Sequence, residues 1–210
     1  MPWSNTLIRS TTLIGQYAAL VPLDADCHDD LVAAVKDGEL WKLWYTMIPS
    51  PDGMRDEIQR RLRLQGQGSM RPFAVMDMRE SVPTHGKAVG MTTFMNVDAV
   101  NRRVEIGSTW YAKSIQRTAI NTECKLMLLT HAFENLNCIA VEFRTHASNQ
   151  QSRAAIERLG AKLDGILRHH QINLHPDAKG SLRDTCVYSI TQNEWPVVKA
   201  HLTARVARAS

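Results

Sequence analysis

Apolar positions along the chain recur with a period near two in some stretches and near 3.6 in others, and the switches between them lay out the elements. Tyr17 to Leu23 (YAALVPL) reads as a first strand leading to Asp24. Asp26 then caps a helix to about Lys36, with Leu31, Val32 and Val35 inward and Gly38 ending it. A second helix, capped by Ser50 or Asp52, runs to about Gln65. Met54, Ile58, Leu62 and Leu64 form its stripe, and Arg55, Arg60, Arg61 and Arg63 its solvated face, before Gly66 and Gly68. Phe73, Val75 and Met76 mark a strand, Glu80 to Lys87 a polar hairpin loop, and Ala88 to Val97 the next strand. A third strand follows from Val104 to Trp110, where Val104, Ile106 and Ser108 alternate with Glu105, Gly107 and Thr109. Short turns between these three predict an antiparallel meander.

The period then returns to 3.6 over 121–136, where Leu126, Leu129 and Phe133 form a stripe and His131 and Glu134 fall outside it. Strand Cys138 to Thr145, with Ile139, Val141 and Phe143 inward, comes back through that helix and so lies parallel to its predecessor. Asn149 to Leu159 is a helix ending at Gly160. Lys162 to Asn173 and Asp184 to Ile190 form a closing hairpin around LHPDAKGS. Asn193 caps a basic amphipathic helix over 193–210, and residues 1–14 read as a loosely held leader before one domain. The fold class is α+β.

Composition narrows the function classes. The formal charge of +4 and pI near 9.0 imply mild attraction to anions, which a phosphate-rich ligand satisfies as well as nucleic acid would. No Lys/Arg block interleaved with aromatic residues suggests a nucleic-acid surface. Cys27, Cys124, Cys138 and Cys186 are scattered singly, so they read as free thiols in a reducing compartment, not as a disulfide framework or zinc site. The N-terminus lacks the basic region and apolar run of a signal peptide, and no stretch approaches the ~20 apolar residues of a membrane span. The expectation is a cytoplasmic protein with neither nucleic acid nor membrane as partner.

The chemistry concentrates in two segments. Between the Val104 strand and the following helix lies Gln116-Arg117-Thr118-Ala119-Ile120-Asn121. A strand–turn–helix leaves backbone N–H groups unpaired at a positive helix N-terminus, a ready site for pyrophosphate, and Arg117 adds a formal charge beside it. The second segment is a strand followed by Asn149, Ser152 and a Leu159-Gly160-Ala161 helix end.

Together, and in this order, the two segments resemble the GNAT N-acetyltransferases, closest to the RimJ/RimL-like branch, over about residues 15 to 195. The first resembles the acyl-coenzyme-A loop, Gln/Arg-x-x-Gly-x-Gly/Ala, with Gln116 in its first position. Ala119 stands where the family has Gly, adding a Cβ near the ligand, and Asn121, which tolerates the left-handed region and can also cap the helix, where it has Gly or Ala. The second resembles the family's strand, Asn-x-x-Ser/Ala and Leu/Met-Gly-Phe/Ala helix end. The resemblance implies a mostly antiparallel sheet of about six or seven strands with one parallel splayed pair, flanked by about four or five helices. It implies acetyl-CoA, or another acyl-CoA, as co-substrate without a metal. Thr109, Trp110, Gln116, Arg117, Thr118, Ala119, Ile120, Asn121, Asn149 and Ser152 would then contact the coenzyme.

The implied reaction is direct acyl transfer to an amine, which needs the amine held in line, a base and a proton for the leaving thiolate. Glu105, between Val104 and Ile106, is the candidate base or amine-positioning group, its pKa raised by partial burial; it could instead pair with Arg102, Arg103 or Arg144. Ser152 is the candidate donor to the sulfur, or an ordinary first-turn serine. Trp41, Trp44 and Tyr45 form either an acceptor-pocket wall or an aromatic plug over the core. His146 either enters that pocket or is structural, and His169, His170 and His175 have no spacing that suits a metal. The acceptor is a primary amine of a protein N-terminus, a lysine or a small molecule. Alternatives are a succinyl or other acyl transferase, for which Arg144 and His146 are candidate cations, and a non-catalytic CoA-binding scaffold. A homodimer is compatible with the basic C-terminal helix and the aromatic segment.

Overall fold

The computed structural model describes residues 11–208. One eight-stranded sheet runs through them, made of β1 (Leu13–Ile14), β2 (Ala18–Pro22), β3 (Met70–Asp77), β4 (Ala88–Asp98), β5 (Arg103–Tyr111), β6 (Ala140–His146), β7 (Lys162–Ile172) and β8 (Leu182–Thr191). The spatial order is β1-β2-β3-β4-β5-β6-β8-β7. Every pairing is antiparallel except β5 with β6, which are parallel, as their helical crossover requires. The helices are α1 (His28–Lys36), α2 (Met54–Gly66), α3 (Ala119–Thr130), α4 (Gln150–Arg158) and α5 (Trp195–Ala207).

The sheet has one strand more than the sequence pattern predicts, and the extra one lies in the expected leader. Leu13 and Ile14 pair with Leu20 and Ala19, while the earlier part of that leader lies outside the described residues. What holds this edge is a long-range contact that no local pattern reveals. The carboxylate of Glu123, on α3, accepts from the backbone N–H groups of Gln16, Tyr17 and Ala18 at 2.7, 2.7 and 2.8 Å. Gly15 permits it: a Cβ there would fall 2.6 and 2.7 Å from the two carboxylate oxygens.

Local chemistry sets the helix boundaries. Asp24, not Asp26, opens the first helical segment, accepting from Asp26 N–H at 3.0 Å ahead of a 3-10 turn at Ala25–Cys27. Ser50 Oγ accepts from Gly53 N–H at 3.1 Å before α2. The last helix spans Trp195–Ala207 within the expected 193–210; its N-cap is Glu194, and Pro stands in its first turn. Glu194 turns back to accept from the N–H and hydroxyl of Thr191, so Asn193 does not serve as cap. The helix begun at Ala119 ends in a π-helical turn at His131–Asn135, which draws His131 into the interior against Phe94.

Helices α1 and α2 cover one face of the sheet over β3 and β4, and α3 covers the other with α5 beside it. Ile120, Leu128 and Leu129 of α3 and Val104, Ile106, Val141 and Phe143 of the central strands belong to the buried core. Burying each such side chain contributes about 1.5–3 kcal/mol, so the parallel pair is held chiefly by what packs over it.

Candidate active site

β5 and β6 pair only at Arg103↔Ala140, Val104↔Val141 and Glu105↔Glu142. Beyond Glu105 they separate, although each keeps its outer neighbour: β4 stays with β5 to Tyr111 and β8 with β6 to His146. The result is a V-shaped cleft with two facing strand edges and no ladder between them. Such edges suit a ligand with its own amides, because extended polar backbone demands partners.

At the same level β5 is not regular. The register with β4 shifts between Met91 and Thr93, and Ser108 takes φ +48°. The expected alternation of Ser108 with Thr109 is therefore broken by a bulge. Arg61 holds it from below. The sequence pattern puts Arg61 on a wet helix face, yet it is 1% exposed. Its Nε donates to Glu57 at 2.7 Å, its Nη1 to Thr93 Oγ1 at 2.7 Å and its Nη2 to the Ser108 carbonyl at 3.1 Å. Burial opposes the charge of Glu57, but hydrogen bonds and charge from Arg60 and Arg61 hold its carboxyl below the ordinary value. Helical periodicity could not single Arg61 out from Arg60, because only the packed sheet supplies its partners.

The mouth of the V carries the predicted loop. Thr118, not Asn121, caps α3: its Oγ1 accepts from Ile120 N–H at 3.4 Å and donates to the Ile115 carbonyl at 2.7 Å. Ala119 and Asn121 both lie in the first helical turn, so neither needs the left-handed backbone that would favour Gly. The one left-handed residue of the loop is Arg117, at φ +65°, with its side chain exposed. Across the mouth, Asn149 Oδ1 caps α4 by accepting from Ser152 N–H at 3.0 Å. Gln151 Nε2 donates to Gln116 Oε1 at 3.3 Å, so the two predicted segments meet. Two capped helix N-termini, the exposed Arg117 and the open strand edges fit a pyrophosphate followed by a pantetheine chain.

Glu105 stands at the apex of the V on the α2 face of the sheet, sharing that face with Met95 and Thr93. It is 5% exposed. Burial raises its pKa above the ordinary 4.5, against an Asn96 Nδ2 hydrogen bond at 2.7 Å and the charge of Arg144. Arg144 Nε is 3.5 Å from Glu105 but spends its closer contacts on Glu142, as does Arg103. Arg102 makes no ion pair with Glu105 among the described residues. A buried carboxyl with a raised pKa, bonded by one amide, suits a proton acceptor better than a structural ion pair. Arg183, on the same face with Nε on Thr185 Oγ1, is a further cation that sequence pattern did not select.

The aromatic segment reaches this face. Trp44 and His146 meet edge-to-face at 5.2 Å, and Trp44 and Tyr45 at 5.5 Å. Trp44 and His146 line a cavity of about 480 Å³ with Ser148, Asp177, Ala178, Ser181 and Leu182. Trp41 and Trp44 do not share a helical face, since the 3-10 turn covers only Leu40–Lys42; Trp41 packs on the core while Trp44 stays 40% exposed. The segment is fastened to the closing hairpin, His175 Nε2 meeting the Trp41 carbonyl at 3.0 Å and Asn173 Nδ2 donating to the Trp44 carbonyl at 3.3 Å. Burial lowers the pKa of His146, whose Nδ1 accepts from Ser148 N–H at 3.0 Å, so its ring is neutral at pH 7. Among the described residues no helix is long and apolar enough to cross a membrane, no group of ligands could hold a metal, and the four cysteines are free.

A cleft of this geometry, with two capped helix N-termini at its mouth and a buried carboxyl at its apex, has the form that an acyl-coenzyme-A transferase requires. The acetyltransferase (GNAT) domain profile matches residues 19–162, and the chain belongs to that family. A GCN5-related N-acetyltransferase from Brucella melitensis is 31% identical, with a TM-score of 0.80 over 94% of this chain and 86% of that one. The Bacillus subtilis protein YdaF, provisionally named a ribosomal N-acetyltransferase, is 36% identical over 110 residues, 52% of this chain and 57% of that protein. Mycobacterium smegmatis RimJ, solved with CoA-disulfide, shares the fold at a TM-score of 0.73 and 20% identity over 93% of each chain.

Proposed function

We propose that the protein transfers an acetyl group from acetyl-CoA to a primary amine, with an N-terminal amine of a ribosomal protein as the first acceptor to try. The observation that carries this reading is the parting of β5 and β6 directly beyond Glu105, with capped helix ends at the mouth of the gap. Thr118, Ala119, Ile120 and Asn121 would receive the pyrophosphate on their backbone N–H groups, with Arg117 beside them. Gln116, Asn149 and Ser152 would flank the pantetheine, and Thr109 and Trp110 would offer their strand edge.

Acetyl-CoA supplies an activated acyl carbon; the protein's part is to align and deprotonate the amine. Glu105 takes the amine proton, and burial makes its carboxyl a stronger base than an exposed one. The cavity between Trp44 and His146 opens on the same face and gives the acceptor an aromatic wall. The choice of a ribosomal N-terminus leans on the name of the Bacillus subtilis relative. The Ala119 departure supports no inert scaffold, because its helical backbone is unstrained. Arg144 and His146, the cations considered for a larger acid-bearing acyl group, are engaged or neutral, which favours acetyl. Arg183 remains, so succinyl-CoA belongs in the same experiment.

The experiment is titration calorimetry with acetyl-CoA, succinyl-CoA and CoA, followed by an amine panel that includes ribosomal N-terminal peptides. Micromolar binding, about −8 kcal/mol, with acetyl-CoA preferred and acyl transfer to a peptide supports the reading. Failure of all three to bind overturns it.

A further inference from the structure

One ionisable group at the cleft has no role in the reaction as described above. Lys125, on α3, is 7% exposed and takes part in no ion pair among the described residues. A buried lysine without a carboxylate is costly unless its site makes use of it. Its Nζ donates to Thr109 Oγ1 at 3.1 Å and stands over the Phe143 ring, 6.0 Å from the centroid. Thr109 belongs to β5 and Phe143 to β6, both beyond the last paired residues, so Lys125 fills the floor of the V.

The placement mirrors that of Glu105. Thr109 Oγ1 lies 2.8 Å from Thr92 Oγ1, and Thr92 faces α3, whereas its neighbour Thr93 faces α2 and Arg61. Glu105 lies on the Thr93 face. The cleft therefore has a carboxyl at its apex on one side of the sheet and an amine on the other side, beside Phe143 and Thr109 where the strands have parted. Burial drives the pKa of Lys125 down to about 8. The groups facing Nζ from β5, β4 and β6 are Thr109, Thr92 and Phe143, none of which titrates near neutral pH. On its own helix the Cys124 thiol is pushed up to about 12 and so is uncharged, and the Glu123 carboxylate is spent on the backbone of residues 16–18.

We propose that Lys125 supplies, through the Thr109 hydroxyl, the proton taken up by the leaving thiolate. The inference rests on the acetyl-transfer reading. As the acceptor nitrogen bonds to the acyl carbon, its proton passes to Glu105. As the carbon–sulfur bond breaks, its electron pair goes to sulfur, which takes the Thr109 proton while Thr109 takes one from the Lys125 ammonium. Lys125 is left a neutral amine and regains a proton from water, and Glu105 returns one to water. In this proposal Thr109 is the group that meets the sulfur, and Lys125 is a positioning residue that acts through it.

The test uses the full chain with Lys125→Met, Lys125→Arg and Thr109→Val. Lys125→Met is expected to lower kcat about 100-fold with the acetyl-CoA KM changed less than about twofold, and to remove an alkaline fall in rate centred near pH 8. Lys125→Arg restores the charge but not a dischargeable proton, so kcat stays low. A readout independent of turnover is the thiolate absorbance of bound CoA: the thiol ionises at lower pH on wild type than on Lys125→Met. Thr109→Val, which spares Lys125, reproduces the kinetic defect and decides the matter if Lys125→Met does not fold. Unchanged kcat and unchanged CoA-thiol ionisation in the folded variants overturn the proposal. So does loss of CoA binding alone, which would make Lys125 only a floor. Absence of acyl-CoA binding by the wild type would instead fail the transferase reading itself.

Discussion

Arg61 Nη2 donates to the Ser108 carbonyl at 3.1 Å, so a buried guanidinium on α2 fixes the bulge of β5 at the apex of the cleft. The same side chain holds Glu57 and the buried Thr93 hydroxyl, so three polar groups from α2, β4 and β5 meet on one residue. Arg61→Met is expected to destabilise the protein by about 3 kcal/mol, because the buried Thr93 hydroxyl and the Ser108 carbonyl both lose their donor, while Glu57 keeps Arg60. Arg61→Lys keeps the charge but not the fork, costs about 1–3 kcal/mol, and lowers kcat more than it raises the acetyl-CoA KM. Urea unfolding beside steady-state kinetics checks both. Equal stability of Arg61→Met and wild type would remove the argument.

Glu105→Gln should lower kcat about 10²–10⁴-fold, the usual worth of a general base, while leaving acetyl-CoA binding intact. It carries a second signature. Because the native pKa of Glu105 is raised, the native state binds more protons than the unfolded chain above the ordinary 4.5. That contribution is present at low pH and declines as pH rises from 4.5 through the native value. Glu105→Gln should therefore flatten the slope of stability against pH over this window. Denaturant titrations across the mildly acidic range measure it, and an unchanged slope counts against the buried, raised carboxyl.

The Glu123 anchor gives a stability test remote from the chemistry. Glu123→Ala removes the acceptor of three backbone N–H groups and should cost about 3 kcal/mol or more. Gly15→Ala places a Cβ against the same carboxylate and should cost about 1–3 kcal/mol. Amide exchange at residues 16–18 should rise in both variants. Continued protection in Glu123→Ala would refute the anchor.

Trp44→Ala should raise the acceptor KM about tenfold, the worth of a desolvated aromatic contact, and leave the acetyl-CoA dissociation constant unchanged. Loss of acetyl-CoA affinity instead would place Trp44 in the coenzyme channel and not in the acceptor wall.

Thr118→Val removes the side-chain cap of α3 and should cost about 1 kcal/mol together with acetyl-CoA affinity, whereas Thr118→Ser should retain both. Thermal unfolding and calorimetry distinguish this from a cap at Asn121, whose replacement by Ala should spare stability.

The sequence by itself determined the order and kind of the elements, the parallel return of β6 and the candidacy of Glu105, Gln116 and Asn149. These follow from local periodicity, helix caps and short-range motifs, which need no knowledge of what packs where. Only the tertiary structure decided the fate of Arg61, which periodicity assigns to solvent and packing sinks against β4 and β5. It likewise moved the cap from Asn121 to Thr118, made a strand of Leu13 and Ile14, and broke the alternation at Ser108. Lys125 has the same history: in sequence it is one more polar residue on a helix, and in the fold it is a buried amine between parting strands. The reason is common to all of them. The environment of a buried charge, a bulge or an edge strand is set by residues tens of positions away, and only folding brings those together.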